Sequence, residues 1–368
     1  MNRLKLLIKS NAVTFIAFIL ALVTSLIVPP DGEYIGYFDF KTLSCLFTVL
    51  AVVCALKNVR FFYTLAEKIV KHFCNARKAV IALVYITFLG SMLLANDMAL
   101  LTFLPLGYYV LISTKMEKYM CVTFILQNIA ANLGGMLTPF GNPQNLYLYS
   151  KFNIPDGEFF GIMLPPFLLA IAMITLCCVI FVKPEPLEFS GMERKLPKAR
   201  IAIYLVLFAL CIFSVFRFIP YQIALIVVIP LLLIMDRSAL ARVDYGLLMT
   251  FVFFFIFAGN MSRIDLVRDI FTVLLEKSTL LVSTLSCQVI SNVPSAILLS
   301  QFTTNYKELL LGVNIGGCGT IISSLASLIT FREYAEHNPG KSGRYLLVFT
   351  AFNVAFLGAM LLLCLLTL

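Results

Sequence analysis

The stretch that decides the fold is NLGGMLTPFGNPQN, residues 132–145, in the middle of an uncharged segment that runs from 119 to 150. The segment is long enough to cross a bilayer, which takes about 20 predominantly apolar residues in a helix. It cannot be one uninterrupted helix, because Pro139 and Pro143 each remove a backbone donor and Gly141 permits a positive φ. The sequence therefore predicts a membrane-spanning helix that is broken near its centre.

The broken segment is also rich in amide side chains. Asn142 followed by Pro143 is typical of an N-cap and the first residue of a helix, so we expect a second helix to begin there. Backbone carbonyls freed at this depth need protein, water or a cation as a partner, and Thr138 and Asn145 stand close to them in the chain. We interpret the segment as a binding site; a proline kink packed against neighbouring helices is the alternative. The amides are Gln127, Asn128, Asn132, Asn142, Gln144 and Asn145.

Composition places the whole chain in a membrane. Of its 368 residues, 61% are hydrophobic and 13% are charged, and the mean hydropathy is +0.96. A soluble domain carries about a quarter charged residues, and one of this length could not bury so many apolar side chains. These values argue against a soluble enzyme, a secreted disulfide scaffold and a nucleic-acid-binding protein. The net charge of +9 is explained by basic residues that flank membrane spans on the cytoplasmic side.

The uncharged runs predict an all-α polytopic membrane protein with two kinds of membrane segment. Segments 79–114 and 278–306 each hold a polar break near the middle, so we expect each to be a re-entrant helical hairpin that enters and leaves on one side. The other runs are predicted to be nine crossings, at 12–28, 42–56, 119–150, 159–182, 201–216, 218–235, 245–262, 309–331 and 345–367.

The distribution of basic residues predicts the orientation. With the N-terminus inside, 21 of the 28 Lys and Arg residues fall in cytoplasmic segments and 7 fall on the other side. This bias favours a multi-pass protein of the cell (inner) membrane with a cytoplasmic N-terminus and an external C-terminus.

The order of segments recurs in the two halves of the chain. Residues 1–182 are the first predicted repeat and 218–368 the second, and a cytoplasmic linker with one extra helix occupies 183–217. Each repeat has two crossings, a charged amphipathic stretch, a hairpin, a broken crossing and a final crossing, and the hairpins enter from opposite sides. NLGGMLT at 132–138 aligns with NIGGCGT at 314–320. Inverted repeats with broken helices are typical of secondary transporters, whose sites lie at the repeat interface near the midplane.

Both hairpin tips carry residues suited to ion binding. Asn96 and Asp97 at the first tip, and Ser291 and Asn292 at the second, can cap the helices that follow, and Pro294 is tolerated in a first turn. The N-termini of those helices would direct free N–H groups at the midplane, where an anion could bind. Asp97 is the only charged residue of the first hairpin. An intramembrane carboxylate is a functional candidate that could bind a cation, carry a proton or pair with another residue.

The second predicted break has small residues in place of prolines. Residues 316–320 read GGCGT, and Ser323 and Ser324 follow. Small residues in membrane helices often indicate close helix packing, which is the alternative here. Because the stretch aligns with the first break, we interpret Thr320, Ser323 and Ser324 as site residues.

Three motifs carry a family resemblance: Asn-Asp at 96–97 followed by Leu-Pro-Leu at 104–106, GGMLTPFGNPQN at 134–145, and Ser-Asn-Val-Pro at 291–294. Together they resemble the ArsB/NhaD-like permeases of the ion transporter superfamily, and most of all the short anion permeases of the YbiR-like branch. The related divalent anion:sodium symporters carry Ser-Asn-Thr at both tips, and both Asn residues are present here. The resemblance implies a homodimer in which a transport domain moves like an elevator against a scaffold domain.

We therefore expect a secondary active transporter that moves a small anion, a carboxylate or an oxyanion, by alternating access coupled to Na⁺ or H⁺. A Na⁺ ion is expected near Asn96, Asp97 and Asn142. With no Lys or Arg in the predicted site, helix dipoles, amides and co-bound cations would meet the charge of the anion. The alternatives are an arsenite or antimonite exporter, a Na⁺/H⁺ antiporter and, outside the superfamily, a channel.

Other classes of function have little support in the sequence. No His or Glu lies in a predicted span, so we expect neither enzymatic activity nor a cofactor beyond the coupling ion. The expected partners are the anion, the lipid bilayer and a second copy of the chain, but no nucleic acid.

Overall fold

The computed structural model describes residues 12–73, 75–186 and 196–368, and these residues are predominantly helical. They form no β-strand, and Asn75 and Pro186 make one isolated antiparallel bridge. The α-helices are α1 (Ala12–Ile27), α2 (Phe40–Asn58), α3 (Phe61–Val70), α4 (Ala76–Leu94), α5 (Asn96–Ser113), α6 (Met120–Gly134), α7 (Pro143–Lys151), α8 (Asp156–Phe181), α9 (Lys198–Val215), α10 (Tyr221–Met235), α11 (Arg237–Ala241), α12 (Tyr245–Ser262), α13 (Asp265–Lys277), α14 (Thr279–Ile290), α15 (Asn292–Leu299), α16 (Tyr306–Ile315), α17 (Leu325–His337) and α18 (Ser342–Thr367).

Seven helical segments of the described residues are long and apolar enough to cross a membrane on their own. They are α2, α4, the segment Glu117–Leu137 that contains α6, and α8, α9, α12 and α18. The pair α13 and α14, bent by 120°, would be an eighth, and α1 and α10 are apolar but shorter. The predicted fold class, an all-α polytopic membrane protein, is confirmed. The nine crossings and their directions stay predictions.

Helices end and begin again at the four predicted breaks. α4 and α5 meet at Ala95, and α14 and α15 meet at Ser291. Residues 135–142 separate α6 from α7, and residues 316–324 separate α16 from α17. Apart from the additional helices α9 and α11, each half of the chain has the same order: two helices, an amphipathic helix (α3 or α13), a helical hairpin, a broken helix and a long final helix. The inversion of the second half relative to the first stays a prediction.

One helix is longer than predicted. α17 continues to His337, six residues beyond the predicted end of its crossing at 331. The prediction ended this segment at its first charge, Arg332. A charged side chain leaves the backbone hydrogen bonds of a helix intact, so α17 carries Arg332 on the same continuous helix as the residues that follow the break.

Close backbone contacts hold each hairpin against the broken helix of its own half. α4 packs on α6 at Gly134, where a Cβ atom would lie 2.3 Å from the carbonyl oxygen of Phe88. α14 packs on α16 at Gly312, where a Cβ would lie 1.9 Å from Ser283 Oγ. Only glycine fits at such distances, and small residues let membrane helices approach closely. Both hairpins are thereby positioned with their tips next to the two breaks.

Candidate functional site

The two hairpin tips share one backbone conformation. Ala95 and Ser291 precede the second arms and have φ of 64° and 74°. The next residues, Asn96 and Asn292, begin α5 and α15, and each side-chain oxygen accepts a 2.9 Å hydrogen bond from the following backbone N–H. The prediction that Ser291 caps its helix through the side chain is wrong, because the hydroxyl instead donates to the Ser323 carbonyl at 3.3 Å. At both tips the asparagine satisfies an N–H of the first turn.

Asp97 is the second residue of α5. The prediction that its side chain caps the helix is wrong, because this helix has no side-chain cap hydrogen bond. Its Oδ1 is buried and has no hydrogen-bond partner among the described residues. A buried carboxylate oxygen is costly unless a donor, a proton or a cation meets it. The geometry thus leaves one oxygen of this carboxylate available to a ligand.

A cavity of about 120 Å³ lies between the two tips. Four helices begin at its wall: α5 at Asn96, α7 at Pro143, α15 at Asn292 and α17 at Leu325. Each helix N-terminus places the positive end of its helix dipole at this wall. Half of the predicted site residues line the cavity, namely Asn96, Asp97, Pro143, Ser291, Asn292, Pro294 and Ser324.

Behind the cavity wall, Asn132 joins the first tip to the second break. Its Oδ1 accepts hydrogen bonds from Asn96 Nδ2 at 3.0 Å and from Ser324 Oγ at 2.9 Å. Its Nδ2 donates to the Gly317 carbonyl at 3.5 Å. Sequence reasoning counted Asn132 among the amides but did not assign it to the site. Asn132 is the first residue of the repeated motif, and this position was the signal that could have assigned it to the site.

Asn142 and Asn145 do not line the cavity but connect the two broken helices through Asn314. Asn142 Nδ2 donates to Asn314 Oδ1 at 3.3 Å and to the Asn132 carbonyl at 3.2 Å, and Asn314 Nδ2 donates to Asn145 Oδ1 at 2.6 Å. Asn142 is the N-cap residue of α7, as predicted, but its side chain makes no cap hydrogen bond. Its Oδ1 is buried and without a partner among the described residues.

Thr138 and Thr320 contact the first arms of the hairpins rather than the cavity. Thr138 Oγ1 donates to the Met92 carbonyl at 2.8 Å, and Thr320 Oγ1 donates to the Gln288 carbonyl at 3.0 Å. Met92 and Gln288 each lie three residues before the positive-φ residue of their tip, so the two contacts are equivalent in the two halves. Ser323 also lies outside the cavity lining, and its carbonyl accepts the N–H that begins α15 at 2.9 Å.

Pro139 and Gly141 shape the first break without reaching the cavity. Pro139 lies in the irregular stretch between α6 and α7, where its missing donor has no helical bond to disrupt. Gly141 does not adopt the positive φ that glycine permits. Glycine is required there for space, because a Cβ would lie 2.3 Å from the carbonyl oxygen of Gly135.

Three charged residues line the cavity, and sequence reasoning identified one of them. Asp97 lies at the first tip, whereas Asp244 at the start of α12 and Arg332 on α17 are solvent-exposed. The expectation of a site without Lys or Arg is wrong for this cavity, because Arg332 is in its wall. Each of the two missed residues borders a predicted crossing and so resembled an ordinary loop charge. For Arg332, the available signal was its helical spacing from Ser324.

Helices broken around a shared cavity within a polytopic fold define the protein as a membrane transporter. The family described as "CitMHS: Citrate transporter" matches residues 4–308, and the chain belongs to this citrate transporter family. It is 32% identical over 337 residues to an uncharacterized transporter of Methanocaldococcus jannaschii, with 90% of each chain covered. It is 26% identical over 300 residues to the inner membrane protein YbiR of Escherichia coli, with 80% of each chain covered. The family points to a permease rather than an enzyme.

Proposed function

We propose that the protein is a secondary active transporter that moves a small anion, a carboxylate or an oxyanion, by alternating access coupled to Na⁺ or H⁺. The observation that carries the proposal is the convergence of four helix N-termini, those of α5, α7, α15 and α17, on one cavity. The positive dipole ends of these helices favour an anion at such a position.

The size of the cavity supports a small substrate. Its volume is about 120 Å³, whereas an engineered cavity of about 150 Å³ holds a benzene molecule. Acetate, succinate and compact oxyanions are therefore the substrates that this conformation would accept with least rearrangement. A larger tricarboxylate such as citrate would require the helix ends to move apart.

The proposed coupling cation has two candidate ligands that lack partners. Asp97 Oδ1 and Asn142 Oδ1 are both buried and unpartnered among the described residues, and oxygen atoms are the ligands that hard cations prefer. With the side chain of Asn96 they would hold Na⁺ close to the anion. In the proton-coupled version, Asp97 carries the proton. The same carboxylate also favours Na⁺/H⁺ antiport as a second candidate function.

The assembly and orientation that we propose rest on the sequence. The ArsB/NhaD resemblance suggests a homodimer with an elevator motion, and the bias of 21 to 7 basic residues suggests a cytoplasmic N-terminus and an external C-terminus. In that orientation Asp244 and Arg332 mark the cytoplasmic mouth of the cavity.

A thermal-shift screen tests the function. Purified protein is heated with acetate, succinate, citrate, sulfate and phosphate, with and without Na⁺, because a ligand that binds only the folded state raises the melting temperature by mass action. We expect at least one anion to stabilise the protein, and to do so more strongly with Na⁺ or at low pH. Stabilisation by Na⁺ and protons in competition, with no anion effect, would favour the antiporter.

The variant Asp97→Asn tests the coupling site. We expect it to lose the Na⁺ dependence of anion binding if Na⁺ is the coupling ion, or the pH dependence if a proton is, while the protein stays folded. Asp269→Asn, at an exposed position on α13, is the control for loss of a carboxylate charge. Wild-type Na⁺ and pH dependence in Asp97→Asn would exclude this carboxylate from coupling.

A further inference from the structure

The wall that α17 contributes to the cavity ends in a positive charge. Leu325, Leu328 and Arg332 all line the cavity, and their spacing of three and four residues places them on one face of the helix. Arg332 lies about 10 Å along the helix axis from Leu325, at 1.5 Å per residue. Side chains on a helix lean toward its N-terminus, so the long side chain of Arg332 leans back toward the break and the hairpin tips.

The wall that α12 contributes also carries a charge, the carboxylate of Asp244. Asp244, Leu247 and Thr250 line the cavity at a spacing of three residues. Asp244 is the N-cap of α12 and accepts a 2.9 Å hydrogen bond from the Leu247 N–H. Thr250 Oγ1 lies farther along α12, 2.8 Å from Thr14 Oγ1 of α1. The lining therefore combines uncharged side chains, many of them apolar, with three charged residues: Asp97 at the first tip, Asp244 at the start of α12 and Arg332 on α17.

We propose that Arg332 binds a second negative group of the substrate at the mouth of the cavity and so makes the transporter selective for multiply charged anions. The inference rests on the proposed function and deepens it. Four helix N-termini can hold one carboxylate, but a second carboxylate on the same molecule has to be placed elsewhere. Among the described residues, Arg332 is the only Lys, Arg or His in the cavity lining, and the two lining carboxylates repel an anion.

Arg332 suits this role chemically. A guanidinium binds a carboxylate through two parallel hydrogen bonds, which adds directional preference to charge attraction. Its solvent-exposed position in the second half of α17 allows it to meet the anion at the mouth. The simpler reading is a cytoplasmic flanking charge with no contact to substrate. The exposed Arg344, in the same basic segment but outside the cavity lining, provides the comparison.

The test compares anion affinities of the purified full-length protein and its variants. Dissociation constants for acetate, succinate and citrate are measured by thermal shift at fixed Na⁺ and low ionic strength. We expect Arg332→Gln to weaken succinate and citrate by about tenfold or more and acetate by less than about twofold. Arg332→Lys should recover part of the loss, because it keeps the charge but not the planar fork. The effect of Arg332→Gln should shrink at high salt.

Two further variants make the result specific. Asp244→Asn keeps the N-cap of α12 but removes the repelling charge, so succinate and citrate should bind a few-fold more tightly. Arg344→Gln should leave all three affinities unchanged. The inference would be overturned if Arg332→Gln bound succinate and citrate as tightly as the wild type does, or if its losses equalled those of Arg344→Gln. In that case acetate and Na⁺ binding would still support the proposed function. An absence of any anion effect in the wild type would contradict both.

Discussion

Asn145 holds the first break together, and its replacement by alanine should destabilise the protein. The side chain is fully buried. Its Nδ2 lies 3.4, 3.1 and 3.3 Å from the carbonyl oxygens of Gly135, Met136 and Thr138, which the end of α6 leaves without helical partners. Its Oδ1 accepts the 2.6 Å hydrogen bond from Asn314 of the second broken helix. Asn145→Ala removes a shared donor from three carbonyls and the acceptor from one amide.

The expected loss follows from the number and quality of these contacts. Hydrogen bonds between membrane helices contribute about 0.6 kcal/mol on average and up to about 1.7 kcal/mol. The short bond from Asn314 belongs near the upper value, and the three longer contacts share one donor and together contribute about 1 kcal/mol. We therefore expect the free energy of unfolding to fall by about 2–3 kcal/mol.

Equilibrium unfolding in mixed detergent and SDS micelles, followed by circular dichroism, measures the loss. Asn353→Ala is the matched control: Asn353 is equally buried, but its amide donates only to the Phe349 carbonyl of its own helix, at 2.9 Å. Because no contact between elements is lost, this variant should lose less than about 1 kcal/mol. A loss in Asn353→Ala as large as that in Asn145→Ala would refute the reasoning, since burial alone would then explain both.

Three further outcomes are expected. Gly141→Ala should destabilise the protein by several kcal/mol or prevent its assembly, because the new Cβ would lie 2.3 Å from the Gly135 carbonyl oxygen. Gly161→Ala is the control: its new Cβ would have no atom within 4 Å, so this variant should have the wild-type melting temperature or a higher one. Ser324→Ala should lower the free energy of unfolding by about 1–2 kcal/mol, because it removes both the N-cap of α17 and the hydrogen bond to Asn132. Reporter fusions should place the N-terminus in the cytoplasm and the C-terminus outside; both ends on one side would contradict the assignment of the hairpins.

The breaks in the helices could be predicted because their causes are local in the sequence. Prolines, glycines and amides interrupt an apolar run wherever the chain folds, so the first break, between α6 and α7, was visible in residues 132–145. The hairpin tips were visible for the same reason, as polar residues in the middle of runs that are otherwise apolar. The second break, 316–324, was found through its alignment with the first. For the first break and the two tips the signal belongs to neighbouring residues of the chain, and for the second break it is a repeated motif.

The side-chain contacts could not be predicted, because they depend on elements that are far apart in the sequence. Asn142 was assigned to the correct N-cap position, but its amide binds Asn314, 172 residues away. Gly141 was noted for the positive φ that glycine permits, whereas glycine is required there because the Gly135 carbonyl oxygen is close. Arg332 was assigned to a loop because it is charged, although α17 continues through it. Which face of a helix meets the site is settled only when the neighbouring helices are in place.

The same contacts suggest how binding of a cation could influence binding of an anion. Coupling requires that one ligand alter the free energy of binding the other, and the effect is reciprocal. Asn96 adjoins Asp97 and donates to Asn132 Oδ1, which also accepts from Ser324, the N-cap residue of α17. A cation that draws the Asn96 side chain toward Asp97 would weaken its bond to Asn132 and leave this acceptor to Ser324 alone. The position of the α17 N-terminus, where the anion is proposed to bind, would then depend on the charge at the first tip. The shared acceptor therefore gives the proposed symport a physical link that requires no contact between the two ligands.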